Sequence, residues 1–408
     1  MACPHATSPG HPGAEPFDLS GAEHYADPHA TFARMRATGP VVAVRFPAVA
    51  AWVVAGYDAA VEALTDRRIR KDHDHGNAHW RSRASIMPEP FHSTLQAHLL
   101  HRDEPRHAIL RGLVTGALGH RATARLRPRI RAHAEALTAA LPERFDLLDT
   151  VARPYPWLVL VDALALPDSF ADTFDPAWCG AVKPVGPADP GRAAYLDLLD
   201  GLSDYLDRML AWYREHLPPY SPITRIVRAA ERGRITADEA RSVVFQLLVA
   251  GQEPVTNQLA MATIALLRHP AEMRRLRENP ALWQTAIDEL LRFDSAFSMA
   301  TWRFLPDGGE LAREEIPAGD SIIVGLASAN RDPARFADAD RLALDRSPNP
   351  HLAFGHGAHY CPASSLAKAE LEIMLRTLLA VPGIALDGDA EATTYLHAPL
   401  ARGPGAPP

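Results

Sequence analysis

The chain has 408 residues, of which 47% are hydrophobic and 22% charged, a composition typical of a globular protein with a sizeable core. Its net charge of −7 at pH 7, with arginines spread along the chain, excludes the clustered basic surface of a nucleic-acid-binding protein. No apolar run approaches the roughly 20 residues that span a bilayer, and the widely spaced Cys3, Cys179 and Cys361 argue against a disulfide framework. We therefore expect a cytoplasmic protein without a membrane or nucleic-acid partner, in which at least one cysteine is available for other chemistry.

The first part of the chain predicts a leader followed by a little sheet. Residues 1–18 are rich in proline and glycine and lack the basic and apolar regions of a secretory signal, so they predict a flexible N-terminal leader. Two β-prone runs within 41–56 predict short strands around a turn at Pro47, and 57–66 predicts a helix. We expect residues 19–408 to form a single domain.

From about residue 104 onward, apolar residues recur at three-to-four spacing, which predicts a mainly α protein. Helices are predicted at 106–118, 121–141, 193–216 and 280–293. The longest candidate, 236–269, begins with a capping-box pattern and is too apolar in its middle for a surface helix, so we expect it to cross the core. Short β-prone runs separated by Gly, Pro and Asp within 301–327 predict a small β-rich part.

One cysteine follows a loop of two glycines and two histidines, in the stretch FGHGAHYCPAS at 354–364. A helix N-terminus favours an ionised thiol, and Cys361 directly precedes a helical pattern in which Pro362 suits the first turn. Gly355 and Gly357 let the backbone turn tightly and approach a flat ligand. The combination predicts a thiolate that binds a metal.

The stretch FGHGAHYC resembles the haem-binding loop of the cytochromes P450. The resemblance makes Cys361 the proximal thiolate ligand of haem b and places Phe354, Gly355 and Gly357 in the cofactor-binding loop. It extends from about residue 20 to about residue 398. It implies the mainly α cytochrome P450 fold with a small β-rich part.

Further motifs occur in the order that the P450 family shows. The stretch DELLR supplies the family's Glu-x-x-Arg pair as Glu289 and Arg292, with Arg346 as its expected third member, and 327–357 has the spacing of the family's meander. By the same resemblance, four residues bind the haem propionates: His107, Arg111, Arg303 and His359.

Each of these residues also has an ordinary interpretation. A lone cysteine is most often a small buried hydrophobe, and a glutamate three residues before an arginine on a helix is most often a solvated ion pair. The histidine-rich stretch at 71–80 could bind a metal through His73, His75 and His79, although a closed zinc site normally has four ligands. The resemblance instead places this stretch in the loop over the substrate pocket, for which we expect four lining residues: His79, Trp80, Val249 and Ala300.

The central helix departs from the family pattern in the stretch AGQEPVTN, where Ala250, Gly251, Glu253 and Pro254 are expected at the catalytic position. Glu253 keeps the family's carboxylate, but Pro254 replaces the usual threonine, so the hydroxyl that takes part in proton delivery is missing. Thr256 lies two residues on, about 200° around the helix, and cannot substitute. Because proline also removes a backbone hydrogen bond, we expect a local kink or a widened groove with carbonyls or water exposed.

A second departure follows the cysteine. Ala363 stands where the family usually has glycine, and Pro362 cannot donate a backbone N–H toward the sulfur. Fewer donors leave a thiolate more electron-rich, which predicts a lower reduction potential of the iron.

These patterns favour an oxidase of specialised metabolism that couples aromatic groups of a small peptide or phenolic substrate, because hydrogen atoms or electrons can be abstracted without oxygen insertion. The alternatives are conventional hydroxylation through a water relay and a non-catalytic haem-binding protein. A peroxide-driven enzyme is disfavoured because that form of the family is expected to carry arginine where this chain has Glu253. The family's chemistry implies a partner of the ferredoxin and ferredoxin reductase type, docking on basic residues around the Cys361 loop.

Overall fold

The computed structural model of the protein describes residues 16–46, 49–84, 87–186 and 189–387. The turn expected at Pro47, Cys3 and residues 1–15 of the expected leader lie outside these ranges. No helix within them is both long enough and apolar enough to cross a membrane. The described chain is mainly helical with a small amount of sheet, as the sequence predicts.

The chain divides into two compact units. Of the described residues, the first unit holds those within 16–84, 264–361 and 386–387, and the second holds those within 87–263 and 362–385. Cys361 is therefore the last residue of the 264–361 stretch of the first unit. The expectation of a single domain over 19–408 stays a prediction.

A five-stranded sheet forms the framework of the first unit, and a two-stranded hairpin accompanies it. The strands are β1 Phe17–Asp18, β2 Val41–Arg45, β3 Ala50–Val54, β4 Arg303–Phe304, β5 Gly309–Leu311, β6 Glu314–Ile316 and β7 Ser321–Val324. The sheet has the order β1-β2-β3-β7-β4, and β5 pairs with β6 in the hairpin. Strands β3 and β7 are parallel and pair Trp52 with Ile322. The short strands predicted within 41–56 and 301–327 are confirmed.

Helices make up most of the rest of the described chain. The α-helices are α1 Ala22–Ala26, α2 Pro28–Thr38, α3 Tyr57–Thr65, α4 Ala78–Arg83, α5 Phe91–Leu95, α6 Arg106–Leu118, α7 His120–Ala139, α8 Pro154–Leu164, α9 Asp168–Ala171, α10 Arg192–His216, α11 Pro222–Glu231, α12 Ala237–Ala250, α13 Glu253–Arg268, α14 Pro270–Glu278, α15 Trp283–Phe293, α16 Leu326–Asn330 and α17 Ser364–Leu379. The helices predicted from three-to-four spacing are confirmed, with ends displaced by a few residues.

Both faces of the five-stranded sheet are buried, because side chains alternate between the faces along each strand. One face carries Trp52 and Ile322, which pack with apolar residues of α3. The opposite face carries Val53 and Ile323, which pack with Met35 and its neighbours on α2. The sheet thus joins the N-terminal helices to the segment that leads to the Cys361 loop.

Helices pack on helices in the second unit. Helix α12 contacts α5, α10 and α11, while α7 contacts both α8 and α17. The Tyr155 hydroxyl of α8 donates to the backbone carbonyl of Glu370 in α17 at 3.0 Å. Helix α12 buries most of its apolar side chains, including Val243 and Leu248, so it crosses the core as the sequence predicts.

The longest predicted helix, 236–269, is two helices. The predicted capping box is present, with the Thr236 hydroxyl and the Glu239 carboxylate each accepting the other residue's backbone N–H. Helix α12 ends before residues 251–252 and α13 begins after them, so the expected kink is a complete break. Pro254 lies in the first turn of α13, where a missing N–H costs little because no partner in the same helix exists.

A buried ion network centres on Glu289 of α15. Arg292, one turn further along the helix, donates two hydrogen bonds to the Glu289 carboxylate at 2.7 and 2.9 Å, and both side chains are fully buried. Arg346 donates to the same carboxylate at 3.0 Å, and the Asn349 side-chain amide donates to it at 3.1 Å. The carboxylate therefore binds two guanidinium groups and an amide at once.

The Arg292 guanidinium also fixes the backbone of the following meander. It donates to the carbonyls of Asn330, Ala339 and Arg341 at 2.9, 2.7 and 3.1 Å. Since these residues precede the Cys361 loop along the chain, the network holds the segment from which that loop departs.

Glu289→Gln should lower the free energy of unfolding by about 3–5 kcal/mol, because it leaves the buried Arg292 without its carboxylate. Urea denaturation followed by tryptophan fluorescence measures the change. Glu23→Gln is the matched control, since the Glu23–Arg34 pair at 3.0 Å is exposed and should be worth less than about 1 kcal/mol. Equal losses in the two variants would contradict the importance of the buried network.

Candidate active site

The Cys361 loop in the first unit closes through its own backbone. The Cys361 N–H donates to the Phe354 carbonyl at 3.0 Å, and the Gly355 N–H donates to the Leu352 carbonyl at 2.8 Å. Gly355 and Gly357 have φ angles of +73° and +71°, in the left-handed region that favours glycine. The backbone thus makes the tight turn that the sequence predicts before the cysteine.

Gly357 has a second reason to be glycine. A Cβ atom at this position would lie 2.6 Å from the backbone carbonyl oxygen of Leu64, in α3. A backbone oxygen within a helix cannot move aside as the end of a flexible side chain can. The absence of a side chain therefore lets the loop rest directly against α3.

The helix after the loop begins later than the sequence predicts. Helix α17 starts at Ser364, and Pro362 and Ala363 form a turn before it. Pro362 therefore precedes the first helical turn instead of lying within it. Ala363 has a φ of −103°, which any residue can adopt, so the backbone does not require the glycine usual in the family.

The other described cysteine, Cys179, is half-buried and has the chemistry of a neutral thiol. Cys179 lies in the 3₁₀ turn Pro176–Val182, where burial, helped by the negative charges of Glu253 and Asp175, raises the pKa of its thiol to about 12. Such a thiol stays protonated at neutral pH, whereas a metal ligand must be a thiolate. Among the described cysteines, Cys361 is thus the better candidate ligand.

Three other predicted site residues belong to the first unit. His359 ends the 3₁₀ turn Gly357–His359, and the Phe354 ring lies edge-on to Tyr360 with centroids 6.3 Å apart. Arg303 is in strand β4 and is 6% exposed, with one guanidinium nitrogen donating to the Thr301 carbonyl at 3.0 Å. The structure therefore holds Arg303 in a fixed, buried position.

Helix α6 in the second unit carries His107 and Arg111 on one face, because they are four residues apart. His107 is 2% exposed, and its Nδ1 lies 2.9 Å from a carboxylate oxygen of Glu104. This hydrogen bond holds the pKa of Glu104 below its usual value. The contact fixes the imidazole ring in one orientation.

Arg111 has a buried nitrogen that lacks an acceptor. Within the described part of the chain, no acceptor lies within hydrogen-bond distance of its Nη1. A buried, unsatisfied cationic donor is unfavourable unless an anionic group binds it. Arg111 therefore fits a ligand that brings a carboxylate to this face of α6.

The break between α12 and α13 is held by side chains as well as by Pro254. The Gln252 side-chain amide donates to the Leu248 carbonyl at 2.6 Å, which satisfies a carbonyl near the end of α12. A Cβ atom on Gly251 would lie 2.8 Å from the Leu247 carbonyl oxygen and 2.7 Å from the Leu160 side chain. Several residues thus maintain the break together.

The carboxylate of Glu253 is oriented by Asn257, one turn along α13. The Asn257 side-chain amide donates to a Glu253 carboxylate oxygen at 2.8 Å. The negative charge of Glu253 acts on two residues near the 3₁₀ turn Pro176–Val182, opposing ionisation of Cys179 and favouring the charged form of Lys183. Burial nevertheless lowers the pKa of Lys183 overall. Glu253 is therefore a fixed acid inside a polar cluster of the second unit.

The expected pocket residues have different environments. Val249 is 5% exposed and Ala300 is partly buried, whereas Ala250 and His79 are exposed. Trp80 is 2% exposed and packs inside an aromatic cluster. Its role at the substrate pocket stays a prediction.

The histidine-rich stretch at 71–80 shows no metal site. Within the described ranges, no group of three or more His, Cys, Asp or Glu side chains has an arrangement that could hold a metal ion. His73 is buried against the Trp80 and Phe304 rings, at centroid distances of 5.3 and 6.2 Å, and His75 is exposed. The structure gives no support to the alternative of a histidine-bound metal.

Comparisons with known proteins agree with this arrangement. The family model for cytochrome P450 matches residues 199–381. The monooxygenase PikC of Streptomyces venezuelae is 35% identical over 391 residues, covering 94% of this chain and 91% of PikC. The chain belongs to the cytochrome P450 family.

Two solved P450 structures resemble this one closely. The enzyme CxnD, which forms a C–S bond in chuangxinmycin biosynthesis, has a TM-score of 0.84 and 30% identity, covering 93% of each chain. The tirandamycin C-bound monooxygenase TamI has a TM-score of 0.84 and 32% identity, covering 92% of this chain and 95% of TamI. The predicted P450 fold and enzyme class are confirmed.

The residues of this P450 fit the haem cofactor of the family. In the first unit, Cys361 would ligate the iron from its tight loop. In the second unit, taken by itself, the buried Arg111 nitrogen has the chemistry to receive an anionic group. The roles of His107, Arg303 and His359 at the propionates stay predictions, and the structure places each of them on a buried or half-buried element.

Sequence reasoning missed several residues around these positions. The contact of Asn257 with Glu253 could have been found from their spacing of four residues on a helix. The amide cap by Gln252 and the contact of Gly251 with Leu160 had no signal in the sequence, because each depends on where the break occurs. The burial of Lys71, which is 2% exposed, likewise had no sequence signal.

Cys361→Ser should abolish the thiolate spectrum of this P450, because a serine hydroxyl does not supply the soft thiolate ligand. The absorption spectrum of the reduced protein with carbon monoxide measures the loss. Cys179→Ser is the matched control and should keep the red-shifted Soret band. A thiolate band retained in Cys361→Ser would contradict the ligand assignment.

Gly357→Ala should lower the haem content of the purified protein and reduce the free energy of unfolding by about 2–3 kcal/mol, since it adds a backbone clash to an unfavourable φ. Gly233→Ala is the control, because Gly233 has a φ of +67° but no atom within 4 Å of an added Cβ. The control should lose only about 1 kcal/mol and keep its haem. Similar effects in both variants would show that the contact with Leu64 is unimportant.

Cys179 predicts a pH dependence of stability. An unfolded thiol ionises near pH 8.5, whereas the pKa of folded Cys179 is about 12. Above the unfolded pKa, the unfolded state therefore loses a proton that the folded state keeps, which favours unfolding. The free energy of unfolding should fall as pH rises above about 8.5, by at most about 1.4 kcal/mol per pH unit. Urea denaturation between about pH 7 and about pH 10 measures this slope. Cys179→Ser should show a smaller slope, and parallel profiles would contradict the prediction.

Proposed function

We propose that this P450 catalyses oxidative coupling of aromatic groups in a small peptide or phenolic substrate, within specialised metabolism. The observation that carries the proposal is Pro254. At the position where the family usually has a threonine hydroxyl, this chain has a ring that neither donates nor accepts a hydrogen bond. Protons are needed to reduce dioxygen in either reaction, so the support is the departure itself: the group that the family's hydroxylating members usually place here is missing, which favours a different outcome of the reaction.

The neighbouring polar groups do not restore the missing hydroxyl. The Glu253 carboxylate is engaged by the Asn257 amide, and Thr256 lies two residues beyond Pro254 on α13. The Gln252 amide is bound to the Leu248 carbonyl. The Gln252 and Glu253 side chains are thus both engaged in hydrogen bonds.

The proposed reaction balances without adding oxygen to the product. When bound, the haem of this family supplies oxidation by dioxygen with two electrons from a redox partner. In coupling, the substrate loses two hydrogen atoms and forms one new bond between its aromatic groups, and both atoms of dioxygen leave as water. In hydroxylation, one oxygen atom remains in the product.

One solved structure, CxnD, supports a reaction in which a P450 forms a bond within its substrate. CxnD is described as forming a C–S bond, which joins two atoms of a substrate, and its chain covers 93% of the present one. The exposed His79 and the basic α4 around it favour a polar or peptidic substrate over a hydrocarbon. A ferredoxin and its reductase are the proposed electron donors, and the cytoplasm is the proposed location.

Hydroxylation through a water relay is the second candidate. The similarity to PikC, which is named a monooxygenase, favours hydroxylation, because the aligned region covers 94% of the present chain. The two reactions differ in the fate of the oxygen atoms and in the mass of the product.

The test begins with substrate-induced shifts of the Soret band over a panel of small aromatic peptides and phenols. Turnover of each binder with a surrogate ferredoxin system in isotopically labelled dioxygen then separates the two reactions by mass spectrometry. Coupling predicts a product that has lost two hydrogen atoms and carries no label. A singly labelled product as the main species would support hydroxylation instead, and absence of turnover with any binder would favour the non-catalytic alternative.

Pro254→Thr should raise the ratio of labelled to coupled product by about tenfold, because it supplies the missing hydroxyl. Pro254→Ala separates the hydroxyl from removal of the ring, and Val255→Thr adds a hydroxyl at the neighbouring buried position. Neither control should change the product ratio. An unchanged ratio in Pro254→Thr would contradict the importance of this residue.

A further inference from the structure

Six aromatic rings of the second unit contact one another in series. In order along the series, they belong to Trp157, Phe174, Trp178, Tyr205, Phe170 and Trp212. The distances between successive ring centroids are 4.5, 5.5, 4.8, 5.9 and 6.1 Å. Aromatic pairs in contact have centroids about 4.5–7 Å apart, so each ring touches the next. We call these six residues the aromatic chain.

Trp157, at one end of the aromatic chain, lies near the break between α12 and α13. It is on α8, three residues before Leu160, so the two side chains lie on the same face of the helix. The Leu160 side chain borders the break, since a Cβ atom on Gly251 would lie 2.7 Å from it. A tryptophan of α8 is therefore close to the segment in which the catalytic position is expected.

Trp178 approaches the same break from a different element. It is half-buried and belongs to the 3₁₀ turn Pro176–Val182. Burial and the negative charge of Glu253, the first residue of α13, raise the pKa of Cys179, which directly follows Trp178. The Trp178 indole also packs closely on α10, because a Cβ atom on Gly201 would lie 3.4 Å from the ring nitrogen. Two tryptophans on separate elements thus bring the aromatic chain to the break.

The other end of the aromatic chain is open to solvent. Trp212 is half-buried near the end of α10, whereas its neighbour in the series, Phe170, is only 9% exposed. The Trp212 ring stacks on the exposed His216 ring, with centroids 4.3 Å apart and planes 9° from parallel. A small molecule in solution can therefore contact the Trp212 ring.

Tryptophan is the residue of this series best suited to exchange electrons. An indole ring can give up one electron while keeping its proton, whereas oxidation of a phenol becomes favourable only when a base takes the hydroxyl proton. The Tyr205 hydroxyl donates to the Phe170 carbonyl at 2.9 Å, and a carbonyl oxygen accepts a hydrogen bond but not the proton itself. Burial also raises the pKa of the Tyr205 hydroxyl. The tryptophans are therefore the sites of oxidation, and the rings of Tyr205 and Phe170 bridge them.

We propose that the aromatic chain is an electron path that protects the haem-loaded protein from oxidation when no substrate is bound. The oxidant is hydrogen peroxide reacting at the haem, and the reductant is a small molecule such as ascorbate that reacts at Trp212. An electron leaves Trp157 or Trp178 toward the oxidant. Trp212 replaces that electron through the bridging rings, and ascorbate then restores Trp212.

The atoms and electrons of this process balance. Hydrogen peroxide takes up two electrons and two protons, its O–O bond breaks, and two water molecules form. Each of two ascorbate anions loses one electron and one proton and leaves as its radical anion, so the protein is unchanged after both transfers. The path operates whether the enzyme couples or hydroxylates its substrate, and it therefore does not depend on the proposed reaction.

Radical trapping in the substrate-free holoenzyme tests the path without an activity assay. Hydrogen peroxide is added together with a nitroso spin trap, and the position of the trap is mapped by peptide mass spectrometry. The wild type should carry the trap on Trp212. The double variant Trp157→Phe/Trp178→Phe should lose this adduct, because phenylalanine is much harder to oxidise than tryptophan. Both residues are replaced because Phe174 also contacts Tyr205 directly, with centroids 5.8 Å apart.

Trp52→Phe is the matched control. It makes the same replacement at a tryptophan of the first unit that is 5% exposed and lies outside the aromatic chain. This variant should keep the adduct on Trp212. Loss of the adduct in Trp52→Phe as well would show that any removal of a tryptophan suppresses trapping, and it would overturn the proposal.

Tyr220 separates conduction through the aromatic chain from attack by a diffusing oxidant. It is 99% exposed and lies outside the chain, whereas Trp212 is half-buried. An adduct on Tyr220 at least as abundant as the one on Trp212 would reveal an oxidant in solution and would contradict the path. An adduct on Trp212 that persists in the double variant would contradict it equally.

Survival of the haem measures the protective function itself. Hydrogen peroxide bleaches the Soret band of the substrate-free holoenzyme, and ascorbate should slow this bleaching in the wild type and in Trp52→Phe. The protection by ascorbate should be lost in the double variant and in Trp212→Phe, because the reductant can no longer supply electrons to the break. If the double variant retains too little haem, Trp212→Phe carries the comparison alone. Equal protection by ascorbate in Trp212→Phe and the wild type would overturn the proposed function.

Discussion

Two guanidinium groups meet on one buried carboxylate, that of Glu289, and the segment that leads to Cys361 is attached to this contact. Charges removed from water are stable only when their hydrogen bonds are complete. Arg292 and Arg346 complete those of Glu289, and the remaining donors of Arg292 bind carbonyls spread over the meander. A segment with little regular secondary structure is thereby held by buried hydrogen bonds. The Cys361 loop departs from that segment and is held in turn by its own backbone hydrogen bonds and by the contact with α3.

The sequence predicts this architecture well where periodicity or a motif carries the information. Helices such as α6 and α10 follow from apolar spacing, and the glycines of the Cys361 loop follow from the conformations that a tight turn demands. The Glu-x-x-Arg spacing identifies Glu289 and Arg292, but it does not reveal their complete burial. That depends on the meander folding over them, which is a tertiary property.

Other features could not be predicted because competing local forces decide them. A proline inside an apolar helical pattern predicts that the helix is interrupted. The sequence alone does not distinguish a kinked helix from two separate helices. The break occurs because Gln252 supplies a side-chain cap and because Gly251 has no side chain to keep it away from Leu160. The burial of Trp80 could not be predicted either, because it depends on packing with Trp302 and Phe304, which lie far along the chain. In each case the outcome depends on residues distant in sequence or on the geometry of a neighbouring element.

The order in which the two units are encoded has a consequence for biosynthesis. Strand β3 precedes the stretch 85–263 of the second unit in the chain, and its partner β7 follows that stretch. The two strands can therefore pair only after the stretch has been synthesised. Contacts between residues so far apart form slowly, since a long loop must be closed first. The segment carrying Cys361 follows β7, so the ribosome must deliver nearly the entire chain before the ligand loop can take shape. Binding of haem through Cys361 would therefore follow the synthesis of both units.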